Sequence, residues 1–263
     1  MDLKLDGQTA LVTGSTAGIG FAIAHLLATE GASVVVSGRG QEKVDAAVAR
    51  IKDAGGGSVR GVVADVTTAD GADALLSAVG QVDILVNNLG IYESKAFTDI
   101  TDADWMRFFE VNVVSGARLA RAVFPGMLAR DRGRIIFVSS ESALSIPKDM
   151  IHYAVTKTAQ LTIARGLAEL TKGTKVTVNS VLPGPTRADG IESFLRGQAS
   201  DPSAPLAEIE AEFFAKSRAA SLLQRMIEPK EIASLVAYLA SPLSSATTGA
   251  ALRVEGGLVT TIA

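Results

Sequence analysis

The 263-residue chain contains no cysteine, and this absence excludes several kinds of chemistry. Without thiols the protein has no disulfides, no cysteine nucleophile and no thiolate metal site. It has only two histidines, His25 and His152, which leaves very little for a zinc site. The composition therefore predicts a protein without a metal, in a reducing compartment such as the cytoplasm.

Aromatic residues and positive charge are also scarce. Aromatics make up 5% of the chain, and the formal net charge is -3. The protein therefore has little with which to stack nucleic-acid bases or attract a phosphate backbone. A nucleic-acid partner is not expected.

Long hydrophobic runs are missing as well. The longest, such as 84–86 and 135–138, are far shorter than the roughly 20 residues of a membrane-spanning helix. The first eight residues are polar and lack the basic and then apolar order of an export signal. The hydrophobic share of 48% therefore indicates a buried core, and no membrane partner is expected.

The chain does show a regular alternation of short β-branched runs and longer stretches compatible with helices. Strands are predicted at 9–13, 32–36, 59–63, 83–86, 134–138, 176–181 and 251–254. Helices are predicted near 19–29, 42–54, 69–79, 102–129, 153–170 and 229–240. Several strands are apolar on both faces, which is typical of a parallel sheet covered by helices on each side. The alternation predicts one α/β domain over 1–263, with a Rossmann-like, doubly wound, seven-stranded parallel sheet.

The alternation stops between Arg187 and Gln224. No strand is predicted in this segment, which carries two short amphipathic pieces near 191–196 and 206–223. Such a long excursion is usually a functional lid or binding loop, although an insertion that only covers the sheet edge is the alternative. Its position after the sixth strand favours a substrate lid, because ligands of open α/β sheets bind outside the carboxyl ends of the strands.

A glycine-rich turn, Thr13 to Gly20, follows the first predicted strand and opens a helix. Glycines permit a tight turn and let backbone N–H groups at the helix N-terminus approach a pyrophosphate. The turn therefore predicts dinucleotide contacts from Gly14, Ser15, Thr16, Gly18, Ile19 and Gly20. Its spacing, T-G-x-x-x-G-x-G, resembles that of the short-chain dehydrogenase/reductase family.

The end of the second strand bears on the choice of dinucleotide. Folds that prefer NAD usually place an acidic residue there for the ribose 2′-hydroxyl, whereas arginine accommodates the 2′-phosphate of NADP. Here Gly38 stands at the acidic position and Arg39 follows it. NADP is therefore the preferred cofactor and NAD remains possible, with a solvated loop arginine as the alternative for Arg39. The family often adds a second basic residue in the glycine-rich turn, but Thr16-Ala17 supplies none.

Three further segments resemble cofactor contacts of the family. Asp65-Val66 resembles the adenine-contacting pair, although Asp65 could instead begin a turn or cap a helix. Asn87-Asn88-Leu89-Gly90 is similar to N-N-A-G, and Pro183-Gly184-Pro185-Thr186 to the loop that faces the nicotinamide carboxamide. Ala188 departs from the family, which often carries threonine there. The resemblance implies cofactor contacts from Asp65, Val66, Asn88, Gly90, Pro183, Gly184 and Thr186.

Three residues predict a site for acid–base chemistry. Tyr153 and Lys157 are four residues apart on a predicted helix, so they share a face. A phenol titrates near pH 10, and a cation within roughly 4–6 Å stabilises the phenolate, so Lys157 is expected to lower the pKa of Tyr153. Ser140 ends the fifth predicted strand, at the same sheet edge as the glycine-rich turn.

The family resemblance extends from Thr9 to Val254-Glu255-Gly256-Gly257, which looks like V-D-G-G. It implies hydride transfer between NAD(P)H and a carbonyl or alcohol substrate, with Tyr153 as general acid or base. Ser140 would hydrogen-bond the carbonyl oxygen, and Lys157 would bind the ribose. Asn112 would hold a water that connects Lys157 to solvent. Tyr153 and Lys157 thus count among both the catalytic and the cofactor-binding residues.

The substrate pocket and the assembly rest on the resemblance alone. By position, the pocket would include Ile91, Glu141, Leu144, Met150, His152 and the lid from Ile191 to Phe214. The resemblance also implies a homotetramer that pairs helices 102–129 and 153–170. A non-catalytic dinucleotide sensor, an NAD-preferring dehydrogenase and a nucleotide-sugar epimerase or dehydratase remain as alternatives.

Overall fold

The computed structural model describes residues 2–262, and within them a seven-stranded parallel sheet runs through the molecule. The strands are β1 (Thr9–Val12), β2 (Ser33–Gly38), β3 (Val59–Val63), β4 (Ile84–Asn87), β5 (Gly133–Val138), β6 (Val176–Pro183) and β7 (Ala251–Val254). Their order across the sheet is β3-β2-β1-β4-β5-β6-β7. This arrangement confirms the predicted Rossmann-like α/β fold.

Helices connect the strands and cover both faces of the sheet. They are α1 (Gly18–Thr29), α2 (Gln41–Asp53), α3 (Ala69–Val79), α4 (Asp102–Phe109), α5 (Ser115–Ala129), α6 (Ile151–Glu169), α7 (Ile191–Gln198), α8 (Leu206–Ser217) and α9 (Pro229–Ala240). Within residues 2–262, none of these helices is long and apolar enough to cross a membrane.

The strand order reverses between β1 and β4, which pair in parallel with Leu11 beside Leu85. On the other side of β1, Leu11 lies beside Val35 of β2. Because the connections from β1 and β4 leave in opposite directions, a crevice opens at their carboxyl ends. This edge is where the fold places a ligand.

The core lies in two layers because successive side chains of a strand point to opposite faces. Ala10 and Val12 of β1 pack into the layer that contains α1 and α9, whereas Leu11 between them packs against the layer of α3 and α5. Both layers are fully buried at β1. The sheet edge that carries the loops is therefore held on a rigid, two-sided base.

The single helix predicted over 102–129 is interrupted. Between α4 and α5 the chain makes a π-helical turn, Glu110–Val114, and Asn112 lies within it. A π-helical turn adds a residue to the helix and often occurs at functional sites. The regular apolar spacing of the sequence gave no sign of this extra residue.

The excursion between β6 and α9 contains α7 and α8, and α8 ends at Ser217 rather than at the predicted Leu223. Its two ends meet in a parallel bridge between Thr186 and Ile227. It also has a hydrophobic cluster of its own, formed by Leu195, Ile209, Phe213, Phe214 and Met226. The excursion is therefore a folded unit fastened at both ends, not a loose loop.

Candidate active site

The glycine-rich turn is shaped by close contacts that leave no room for side chains. Gly14 has φ +60°, a conformation that favours glycine, and a Cβ on Gly20 would lie 2.4 Å from both the Gly14 carbonyl oxygen and Asn88 Nδ2. The Asn88 amide donates to the carbonyl oxygens of Thr13 and Gly14 at 2.9 and 3.1 Å. The loop after β4 thus fixes the turn after β1.

The first turn of α1 offers backbone N–H groups to a ligand. Its N-cap, Ala17, provides no side-chain hydrogen bond to them. Ser15, by contrast, is fully buried: its hydroxyl donates to the Val12 carbonyl oxygen at 2.6 Å and accepts from the Ser37 N–H at 3.0 Å. The Ser15 side chain therefore joins β1 to β2 and lines neither of the cavities described below.

A cavity of about 440 Å³ lies beyond the ends of β1, β2 and β3. It contains Thr16, Arg39, Asp65 and Val66, as the sequence predicts for the adenosine end of a dinucleotide, and also Lys43. The sequence patterns do not predict a role for Lys43, which lies in the first turn of α2, four residues after Arg39. It supplies the second cation that the glycine-rich turn lacks.

Asp65 is held as a carboxylate at the edge of this cavity. It accepts hydrogen bonds from the Thr67 hydroxyl at 2.7 Å and the Thr67 N–H at 3.1 Å. These bonds, together with the nearby positive charge of Arg39, lower the pKa of Asp65. An ionised acceptor at this position suits the exocyclic amine of adenine.

A second cavity, of about 260 Å³, lies at the carboxyl ends of β4, β5 and β6. It brings together Ser140, Tyr153 and Lys157, which belong to two different elements. Residues from the other predicted cofactor segments complete its wall: Ile19, Gly20, Asn88, Gly90, Pro183, Gly184 and Thr186. A Cβ on Gly90 would lie 3.3 Å from Lys157 Nζ, so the chain passes directly over the ammonium group.

Burial governs the protonation of the tyrosine and the lysine. Burial raises the pKa of Tyr153, and the negative charge of Glu141 raises it further, while the Ser140 hydroxyl lowers it. Lys157 Nζ lies 5.6 Å from the centre of the Tyr153 ring and donates to the Val138 carbonyl oxygen at 2.9 Å. Burial lowers the pKa of Lys157 to about 8. For the polypeptide itself, the loss of hydration outweighs the effects that lower the pKa of Tyr153, and the lowering of this pKa by Lys157 stays a prediction.

Asn112 uses its side chain to join two elements. Its amide accepts from the Ile91 N–H at 2.8 Å and donates to the Ile91 carbonyl oxygen and to Thr156 Oγ1, both at 3.0 Å. The π-helical turn presents this side chain to the loop after β4 and to α6. Asn112 therefore positions the helix that carries Tyr153 and Lys157.

The backbone carbonyl of Asn112 is connected to Lys157 by the side chain of Gln160. Gln160 Nε2 donates to the Asn112 carbonyl oxygen, and Gln160 Oε1 accepts from Lys157 Nζ at 3.4 Å. Gln160 is thus a buried amide between Lys157 and the backbone of Asn112. Sequence reasoning missed Gln160, although a polar residue three positions after Lys157 shares its helix face.

The substrate side of the cavity is only partly as predicted. Ile91, Glu141 and Met150 line it, together with Ile191, Phe194 and Phe213 of the lid. Leu144 does not, because it is 46% exposed outside the cavity. His152 does not either: it is fully buried against Phe108 and Trp105, with ring centres 4.2 and 6.2 Å away. A residue next to Tyr153 on a helix is turned by about 100°, which directs His152 into the core.

Residues 8–198 match the family described as short chain dehydrogenase. The chain belongs to the short chain dehydrogenase family. It is 49% identical over 263 residues to the uncharacterized oxidoreductase YvaG of Bacillus subtilis, covering 100% of both chains. It is 35% identical to the 3-oxoacyl-[acyl-carrier-protein] reductase FabG of Vibrio cholerae, over 97% of this chain and 99% of that one.

A solved structure shows the same architecture with ligands. The L-sorbose reductase of Gluconobacter frateurii, complexed with NADPH and L-sorbose, superposes with a TM-score of 0.92 and 30% sequence identity. The superposition covers 100% of both chains. The seven-stranded sheet and the oxidoreductase class of this short chain dehydrogenase are thus supported by both sequence and structure.

The hydrogen bond between Gln160 and Lys157 is expected to influence the pKa of Lys157 in this short chain dehydrogenase. Gln160→Met removes an acceptor of the Lys157 ammonium and should lower the pKa of Lys157 from about 8. We expect the fall of kcat at high pH, the alkaline limb of its pH profile, to begin about 0.5 to 1 pH unit lower than in the wild type. Gln160→Glu, which adds a negative charge, should move the limb to higher pH.

The two Gln160 variants are compared by steady-state turnover across pH and by thermal unfolding. A purely structural role for Gln160 predicts lower thermal stability and an unmoved limb in both variants. That outcome would refute the link between Gln160 and Lys157.

Proposed function

We propose that this protein is an NADP-preferring oxidoreductase that transfers hydride between the nicotinamide and a carbonyl or alcohol substrate, as a ketone reductase or alcohol dehydrogenase. The proposal is carried by one observation: the hydroxyl of Ser140, the phenol of Tyr153 and the ammonium of Lys157 line the same cavity. A proton donor, an oxygen-binding hydroxyl and a cation are the groups that reduction of a carbonyl requires.

The residues present fit a bound dinucleotide. The Gly20 and Gly90 contacts leave space only for backbone, and the N–H groups at the start of α1 have no side-chain cap. Arg39 and Lys43 would hold the adenosine phosphate, Asp65 and Val66 the adenine, and Pro183, Gly184 and Thr186 the carboxamide end. When bound, the nicotinamide supplies the hydride acceptor in oxidation and the hydride donor in reduction.

In this proposal Tyr153 moves the proton. During reduction its hydroxyl donates to the carbonyl oxygen as negative charge develops there, while Ser140 hydrogen-bonds the same oxygen. Lys157 binds the ribose hydroxyls and returns a proton to Tyr153. The raised pKa of Tyr153 keeps the phenol protonated at neutral pH, as a proton donor in reduction must be.

The preference for NADP rests on the charges at the end of β2. Arg39 and Lys43 both reach the adenosine cavity. A Cβ on Gly38 would lie 2.7 Å from Thr16 Cγ2, so an acidic side chain at the position that usually selects NAD would require Thr16 to shift. An NAD-preferring dehydrogenase is the second candidate.

The alternative functions, a dinucleotide sensor and an epimerase or dehydratase, fit the residues of the site less well. A dinucleotide sensor needs neither a proton donor nor an oxygen-binding hydroxyl, and an epimerase or dehydratase needs more substrate-binding chain than the lid provides. Incubation with NADPH and a panel of ketones and aldehydes, followed at the nicotinamide absorbance, separates these functions. Turnover supports the proposal, and binding without turnover supports the sensor.

Replacing the proton donor should abolish turnover without affecting cofactor affinity. We expect Tyr153→Phe to lower kcat by about 10²- to 10⁴-fold, because the ring is kept and the transferable proton is lost. The Kd for NADPH should change less than about threefold, since one hydrogen bond at most is removed. Tyr238→Phe on α9, a half-exposed tyrosine outside both cavities, is the matched control. Near-wild-type kcat in Tyr153→Phe would show that another group supplies the proton.

The cofactor preference is tested by removing the cations one at a time. Arg39→Ala should raise the Kd for NADPH by about 10- to 100-fold, the value of a charged hydrogen bond, and leave the Kd for NADH nearly unchanged. Lys43→Ala should act in the same direction with a smaller effect. Lys52→Ala, on the exposed end of α2, is the control. If wild-type protein binds NADH as tightly as NADPH, the preference for NADP is wrong.

We also propose a homotetramer formed through the helices between β4 and β5 and through α6. Met106, Val114 and Val155 are exposed apolar residues on these segments, which a partner subunit would cover. Sedimentation equilibrium should give four times the 27.2 kDa chain mass. A monomer at micromolar concentration would contradict this assembly. The cytoplasmic location stays a prediction.

A further inference from the structure

The Ser140 hydroxyl has one proton, and two acceptors compete for it: the Glu141 carboxylate and the substrate oxygen. The hydroxyl oxygen of Ser140 accepts a hydrogen bond from the Ser142 N–H at 3.1 Å, and its proton lies in a short hydrogen bond with Glu141 Oε2. In the proposed function, on which this inference rests, Ser140 must donate that proton to the substrate oxygen. An ionised carboxylate only accepts hydrogen bonds, so ionised Glu141 competes with the substrate for it.

Glu141 is buried, with only 5% of its surface exposed, and it lines the cavity that holds Tyr153. Arg218, which follows α8, places Nε 3.7 Å from Glu141 Oε1. From α6, Tyr153 and Lys157 face the carboxyl and interact with its charge. Asp189 at the start of the lid lines the same cavity.

These surroundings act on Glu141 in opposite directions. Burial raises the pKa of Glu141, whereas the hydrogen bonds from Ser140 and Ser142 and the charge of Arg218 lower it. The loss of hydration is the largest effect, so the pKa of the carboxyl is raised overall. Glu141 can therefore carry a proton at a pH where an exposed glutamate is ionised.

We propose that Glu141 is a positioning residue whose protonated carboxyl donates a hydrogen bond to Ser140 and thereby frees the Ser140 proton for the substrate oxygen. The chain of donors then runs from the Glu141 carboxyl to Ser140 Oγ and from Ser140 Oγ to the substrate. No proton is consumed along it: Glu141 and Ser140 keep theirs, and the proton transferred to the substrate comes from Tyr153. When Glu141 ionises, the Ser140 hydroxyl turns to the carboxylate and only Tyr153 binds the substrate oxygen.

The consequence is a step in the pH profile of reduction. kcat is highest below the pKa of Glu141 and falls to a lower plateau above it, since one of two donors to the substrate oxygen is lost. We expect a fall of about 10²-fold, the lower end of the 10²- to 10³-fold loss that follows removal of such a donor. Because Arg218 stabilises the carboxylate, it sets the pH at which the step occurs. Arg218 itself is not part of the hydrogen bonds that cause the step.

Glu141→Gln tests the donor role. A glutamine amide donates to Ser140 at every pH and cannot ionise. We expect the step to disappear and kcat, at pH values below the alkaline limb assigned to Lys157, to take a single value between the two wild-type plateaus. Persistence of the step in Glu141→Gln would overturn the proposal, as would a pH-independent loss as large as that of Ser140→Ala.

Arg218 provides an independent check that leaves Glu141 in place. Arg218→Met removes the cation, so the pKa of Glu141 rises and the step should move to higher pH. Arg218→Lys, which keeps the charge, should leave the step near its wild-type position. In the double variant with Glu141→Gln, no step should appear. An unmoved step in Arg218→Met refutes the assignment of the step to Glu141.

A spectroscopic measurement separates this inference from the proposed function. Infrared difference spectra between wild type and Glu141→Gln, recorded just above the ordinary pKa of a glutamate, should contain the C=O stretch of a protonated carboxyl in the wild type. Its absence refutes the proposal even if the enzyme turns over normally. Its presence in a protein that reduces no carbonyl substrate would instead count against the proposed function.

Discussion

The parallel pairing of β1 with β4 is the constraint on which the rest of the molecule depends. It brings together the ends of two strands whose connections leave in opposite directions, and it sets the glycine-rich turn beside the Asn88 loop. The next two strands, β5 and β6, extend the same edge and deliver Ser140 and Pro183. The site is thus built from segments far apart in the chain, each positioned by backbone hydrogen bonds of the sheet. Loop sequence then decides what each position does.

Loss of hydration is the common cause of the unusual acidities in the cavity. It raises the pKa of Tyr153 and Glu141 and lowers that of Lys157, so each group is moved toward its neutral form. Opposite charges only partly offset this effect. A ligand that carries charge into such a place changes the protonation of all three groups together. The acidity of Tyr153 therefore depends on the whole cavity that surrounds it.

The sequence predicts most of the fold because the spacing of apolar residues identifies each strand and helix from its own segment of chain. The alternation of strands and helices then implies a parallel sheet whose carboxyl ends lie at one edge. The bounds of α3, α9 and β7 agree with the predicted ranges, and the grouping of Ser140, Tyr153 and Lys157 in one cavity follows from the parallel sheet. What it could not predict depends on contacts between distant segments. The π-helical turn at Asn112 leaves no trace in the apolar spacing, and the role of Gln160 appears only when α6 lies against that turn. His152 and Leu144 lie outside the cavity because position in the family's sequence pattern does not fix the direction of a side chain.

The bridge between Thr186 and Ile227 joins the two ends of the lid, so that the lid forms a closed loop. Both of its ends are joined at this isolated bridge, just after the end of β6, and its own apolar cluster supports what lies between them. Substitutions, insertions and deletions within it can therefore reshape the roof of the cavity without shifting the register of any strand. The sheet edge and the roof of the cavity are therefore two parts of one chain that tolerate changes of sequence independently.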